Sequence, residues 1–123
     1  MVEVSLYSIG RAIGATEKVL KNEIDNALVF EGVGGHHAYY SSAWGGCYFN
    51  DDVIAINYAR EKLGTKRFAI VDTDTHHADG TRAIFKNDEE VLHICFCGGY
   101  FFGWGSRIES KTKLCFTKDD KAC

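Results

Sequence analysis

Four apolar residues in a row, Phe68-Ala69-Ile70-Val71, run directly into DTDTHHADG (residues 72–80), and that junction limits what the chain can become. An apolar run of strand length without polar alternation suits a strand covered on both faces, as in a parallel α/β sheet. The stretch that follows sets three carboxylates, Asp72, Asp74 and Asp79, beside two imidazoles, His76 and His77. A solvated turn has no need of histidines, and a core does not accept unpaired charges. Metal ligation or proton transfer is the chemistry such a loop suggests.

The remaining pattern agrees with an α/β class. Leu6, Ile9, Ile13 and Leu20 share one face at helical spacing, with Ser5 as a candidate cap. Ala27 to Phe30 reads as a short buried strand. Residues 31–47, EGVGGHHAYYSSAWGGC, contain five glycines and no helical period, and so form a loop. Asn50 or Asp51 caps a second helix, with Val53, Ile56, Ala59 and Leu63 as its apolar stripe and Gly64 as its stop. Thr81–Phe85 reads as a short helix and Val91–Cys97 as a further strand, while the sequence from residue 98 onward is weakly patterned. In a strand–helix–strand unit the two parallel strands release their loops at one sheet edge, where open α/β sheets bind ligands. The loops 31–47 and 72–80 are therefore expected to face each other across one crevice.

Bulk properties exclude several classes. At 123 residues the length suits a single domain spanning 1–123 with a modest core. A net charge of −3 and no basic cluster longer than two residues argue against a nucleic-acid surface. Early charges at Glu3, Arg11, Glu17 and Lys18 leave no signal-peptide core, and no apolar run approaches a membrane span. Five cysteines without a CxxC pair point to reduced thiols in a cytoplasmic setting.

Four of the five histidines stand as adjacent pairs, His36-His37 and His76-His77, one pair in each polar loop. Asp74 and His76, two apart on an extended backbone, can point the same way and offer oxygen and nitrogen to a divalent cation. His36 and His37 are then candidates for proton transfer, with Asp72 and Asp79 to orient them.

These residues also carry a resemblance. GHHA, six residues, GGCYFND and, downstream, DTDTHHADGTRAIF resemble the central region of the histone deacetylase family, which includes acetoin-utilisation-type and acetylpolyamine deacetylases. The similarity runs from about residue 5 to about residue 105. It implies a partial three-layer parallel sheet of the arginase/deacetylase type, and zinc-dependent hydrolysis of an acetyl-lysine or acetylpolyamine amide. Asp74 and His76 match two zinc ligands, and His36 and His37 match the histidines that activate water and protonate the leaving amine. Asp72 and Asp79 match the carboxylates behind those histidines, and Gly45 matches a glycine of the substrate channel. Asp72, Asp74, His76 and the segment Cys95-Phe96 match a region that holds potassium.

Departures from the family pattern set further expectations. The family's third zinc ligand and its oxyanion-stabilising tyrosine lie well downstream of the motif, so the chain reads as a truncated central fragment; Asp119 and Asp120 are the nearby carboxylates left for a third ligand. Gly46 stands where the family has an aromatic, which widens the channel. A phenylalanine there is expected to tighten substrate binding, and Trp44 offers either a substitute face or plain packing. His93, Cys95 and Cys97 alternate along one strand, which suits either a Cys₂His zinc site or a row of small buried residues. The alternative to an enzyme is a catalytically dead remnant that serves as a binding or assembly module. Uncovered apolar sheet faces would make self-association a property of either.

Overall fold

The computed structural model describes residues 1–98 and 112–116, and its backbone gathers into two compact units, Met1–Lys66 and Arg67–Cys123. The first is built from two packed helices, α1 (Val2–Leu20) and α2 (Asp51–Leu63), with the long loop between them. The second holds β1 (Phe68–Asp72), α3 (Asp79–Phe85), β2 (Val91–Gly98) and β3 (Thr112–Phe116) in a sheet of order β1-β2-β3. Among the described residues, no helix is long and apolar enough to cross a membrane.

In α1 the helix is where the periodicity places it, but the face it buries is not. Ser5, Ser8 and Ala12 are buried, whereas Leu6 and Leu20 are exposed. Ser5 is no cap either: Met1 holds that position, and the Ser5 hydroxyl donates back to the Met1 carbonyl at 3.2 Å. Small side chains let the following segment lie close along the helix. The Ser8 hydroxyl accepts from the Gly32 N–H at 3.1 Å, and Arg11 donates to the Phe30 carbonyl at 3.1 Å. A Cβ on Gly32 would stand 2.5 Å from Val4 Cγ1, so a larger residue here would have to displace the Val4 side chain.

That docking explains a second correction. Ala27–Phe30 forms no strand, and Leu28 and Phe30 are 81% and 78% exposed. A strand exists only by pairing with another, and here the Phe30 carbonyl and the Gly32 N–H are taken by helix side chains instead. The loop 31–47 therefore does not leave a strand, and the shared-edge argument loses one of its two supports.

The second helix follows its local signals closely. Asn50 Oδ1 accepts from the Val53 N–H at 3.3 Å, Asp51 and Asp52 sit in the positive first turn, and Gly64 ends the helix at φ 70°. Thr65 then donates to the Ala59 carbonyl at 3.2 Å, closing the last turn. Val53, Ile56 and Ala59 are buried as the stripe predicts.

In the second unit β1 and β2 pair in parallel from Phe68↔Val91 to Asp72↔Cys95, and β3 adds antiparallel to β2. The parallel pair and its helical crossover bear out the α/β class. Among the described residues the two faces of the pair differ. Val91, His93 and Cys95 are buried on the face toward α3, while Ala69, Val71, Leu92 and Phe96 are exposed on the other. A seven-residue helix covers one side of the pair.

Asn50 does two things at once, because its Nδ2 also donates to the Ala38 carbonyl at 3.3 Å. Replacing Asn50 with Ala removes a cap and a buried tie to the loop, and is expected to cost about 1–3 kcal/mol, read as a lower urea midpoint.

Candidate active site

The histidine pair of the first unit sits in a loop wound by short backbone bonds. Ala38 donates to the Gly35 carbonyl, Tyr39 to that of Ser42 and Cys47 to that of Trp44, each at 2.9 Å. Gly35 presses on the start of α2 so closely that a Cβ would lie 1.7 Å from Asp51 Oδ1. These turns bury His37 to 6% exposure and leave His36 half-buried beside it, ring centroids 4.2 Å apart. The Trp44 indole also touches His37, with ring centroids 4.4 Å apart and a tilt of 41°.

Gly45 has a steric role here. Its φ is +60°, and a Cβ on it would meet His37 Cδ2 at 2.4 Å, so the glycine is what allows the imidazole its place. Gly46 follows at φ +79°, with open space where a side chain would start. The expected gain from a phenylalanine at 46 is therefore opposed by the backbone, since a bulky residue in that region is strained.

At the beginning of the loop Glu31 meets Asp51 and Asp52. Burial first, then the hydrogen bond to Asp51 and the charges of Asp51 and Asp52, push its carboxyl up to about 8.

In the second unit DTDTHHADG begins at the carboxyl end of β1, as the sequence suggests. Its alternation has a local backbone cause. Asp72 Oδ1 accepts from the Asp74 N–H at 2.9 Å, Asp74 Oδ1 accepts from the His76 N–H at 2.7 Å, and Asp79 Oδ1 accepts from the Gly80 N–H at 3.0 Å. Each aspartate thus pins an N–H one or two residues on. The same Asp74 Oδ1 lies 2.8 Å from His76 Nδ1, and both side chains are about half exposed.

The structure therefore brings His36, His37, Trp44 and Gly45 together in the first unit. In the second it sets Asp74 beside His76 just beyond β1, whose last residue, Asp72, pairs in register with Cys95. Asp74 and His76 fit a divalent cation: a carboxylate oxygen and an imidazole nitrogen, solvent-accessible, at a spacing that bonds of about 2.0–2.1 Å would span with slight widening. No group of three metal-ligating side chains stands together among the described residues, and Asp119 and Asp120 lie outside them. His93 and Cys95 do share the buried face of β2, whereas the Cys97 side chain lies outside the described ones. The potassium reading fits less well. Oxygens of Asp72, Asp74 and His76 are near the strand end, but Cys95 brings a buried thiol, 4.0 Å from the His76 carbonyl, and sulfur is a poor donor to a hard cation. The Phe96 side chain turns to the exposed face.

His77 is held apart from this pair. Arg82 Nη1 lies 3.3 Å from His77 Nε2. A guanidinium only donates, so this nitrogen accepts and the ring proton sits on Nδ1. Sequence reasoning left open the Trp44–His37 contact and missed the second bond of Asn50 and the Glu31–Asp51 link. The two glycines after Trp44 were the available signal for the first; nothing local marked the others.

The model of the histone deacetylase domain matches residues 1–111, some nine-tenths of the chain. The chain belongs to the histone deacetylase family. It is 38% identical over 104 residues to a histone deacetylase-like amidohydrolase of Pseudomonas aeruginosa, covering 80% of this chain and 27% of that protein. It is 42% identical over 90 residues to a probable deacetylase of Archaeoglobus fulgidus, covering 73% of this chain and 25% of the other. With the rat polyamine deacetylase HDAC10 it shares 37% over 85 residues, covering 69% of this chain and 14% of that protein. The deacetylase-family chain thus spans about a quarter or less of the length of these relatives.

Two outcomes follow from the first unit of this deacetylase-family chain. Gly45→Ala is expected to displace His37 and to lower stability by about 1–3 kcal/mol, seen as a reduced urea midpoint and lost shielding of Trp44 emission. The second concerns pH. With Glu31 raised from 4.5 to about 8 on folding, the folded chain holds a proton that the unfolded chain has released between those values. Stability therefore falls as pH rises through that window. Glu31→Gln should flatten the slope and gain about 1 kcal/mol at pH 9, the full shift being discounted because Glu31 keeps contact with water.

Proposed function

We propose that the chain is a zinc-dependent, deacetylase-like amide hydrolase acting on an acylated amine of the acetyl-lysine or acetylpolyamine type. The observation that supports this most is the Asp74–His76 pair, 2.8 Å apart and accessible, in a chain of the deacetylase family. Asp74 and His76 would hold the metal. Zinc bound there supplies a Lewis acid that polarises an amide carbonyl and lowers the pKa of a water toward about 7.

The remaining chemistry falls to the chain's own side chains. His37 takes a proton from the attacking water, and a proton is returned to the amine nitrogen as the C–N bond breaks, with His36 as the second member of the relay. The two rings lie 4.2 Å apart at a tilt of 54°, which keeps these imidazoles side by side. Asp72 and Asp79 are assigned as the carboxylates that keep the imidazoles in their working tautomers. Gly45 and Gly46 border the place of the acyl stem. The odd cysteine count without a CxxC pair supports a cytoplasmic setting.

The test is hydrolysis of an acetyl-lysine amide by the purified chain with and without added zinc, beside Asp74→Ala. Zinc-dependent turnover that drops by at least about 10²-fold in the variant is the expected result. Turnover that ignores both zinc and the substitution would overturn the metal assignment. No turnover and no zinc uptake would return the chain to the binding-module alternative.

A further inference from the structure

We infer that Trp44 is the specificity-determining residue of this site, its indole forming the wall against which the alkyl stem of a linear N-acylated amine lies. The inference rests on the deacetylase reading given above. It is carried by three features of one loop.

The first is how Trp44 divides its surface. Its ring is in contact with His37, which is almost completely buried, yet Trp44 itself is 54% exposed. One part of the indole is fixed against the imidazole, and the rest faces water. A large apolar ring held in this way is already ordered, so a ligand that covers it gains apolar burial at little cost in side-chain freedom.

The second is the backbone. Gly45 and Gly46 both have left-handed φ, +60° and +79°. An aromatic side chain at 46 is strained, and any side chain at 45 collides with His37. Position 44, the last before this turn, is where the loop can place an aromatic ring against the histidine. The glycine pair and the tryptophan are thus one device.

The third is the space beside it. A Cβ built on Gly46 would meet nothing within 4 Å, so the turn next to Trp44 is not packed at that point. Tyr39, Tyr40, Tyr48 and Phe49 of the same loop are also exposed. A stem of several methylenes matches the exposed part of the indole, and an ammonium at its far end would add attraction to an aromatic face.

The chain has two tryptophans, Trp44 and Trp104, so Trp104→Phe leaves Trp44 as the sole indole reporter. The experiment titrates N-acetyl-lysine amide and N-acetylputrescine into the zinc-loaded chain, as wild type, Trp44→Ala, Trp44→Phe and Trp104→Phe. Zinc affinity is measured on each, to show that the metal-holding loop is unchanged. The expected result is a Kd weakened about 5- to 10-fold in Trp44→Ala and within about 2- to 3-fold of wild type in Trp44→Phe. In the Trp104→Phe protein, Trp44 emission should change with ligand occupancy. Wild type that binds these amines while Trp44→Ala binds them equally well, or Trp44 emission that ignores a bound ligand, overturns this inference alone. Wild type that takes up zinc but binds neither amine overturns the deacetylase reading and this inference with it.

Discussion

Parallel pairing of β1 with β2 is the constraint from which the second unit follows. Parallel strands cannot be joined by a tight turn, so the chain must cross over between Asp72 and Val91. The crossover is spent on DTDTHHADG and α3, which places the loop at the carboxyl end of β1 and lays the helix on the buried face. Asp72 and Cys95 close the register, so the first carboxylate of the loop is anchored to the sheet itself. The candidate metal ligands Asp74 and His76 then lie two and four residues beyond a fixed point.

The first unit reaches comparable order without a sheet. Its loop is held from three directions: Ser8 and Arg11 of α1 take up backbone groups at 30–32, Asn50 holds the Ala38 carbonyl, and Gly35 packs on Asp51. Side chains thus satisfy backbone groups that strands would otherwise pair. Between these ties His37 is buried against Gly45 and the Trp44 ring. A loop of this length keeps its histidines in place partly through close approaches at Gly35 and Gly45 that a side chain would obstruct.

What could be read from the sequence follows a physical division. α2 was fully legible, because Asn50, Gly64 and the stripe between them act within a few residues of one another. β1 and β2 were legible as apolar runs, and the α/β class followed from them. The buried face of α1 was not, since hydropathy favours Leu6 over Ser5 and Ser8, whereas close approach of the chain at Gly32 favours the small residues. Ala27–Phe30 was misread for a related reason: apolar character marks a strand only when a partner is present, and partners are not local. The polar residues of the candidate site were recognisable by motif, but Asp74 and His76 come side by side through a bend closed by the His76 N–H on Asp74, not through the extended backbone that their spacing suggests. Which aromatic touches His37 depended on the φ angles of Gly45 and Gly46, which composition does not encode.

The aspartate ladder of the second unit has a bearing on how such motifs persist. Asp72, Asp74 and Asp79 each hold a backbone N–H of the turn they belong to. Selection for nothing more than a correctly folded crossover would keep those carboxylates, and with them much of the motif's appearance. A chain of this family that stopped turning over substrate would go on looking like a metal site for a long time. In this loop, architecture and chemistry are written with the same letters.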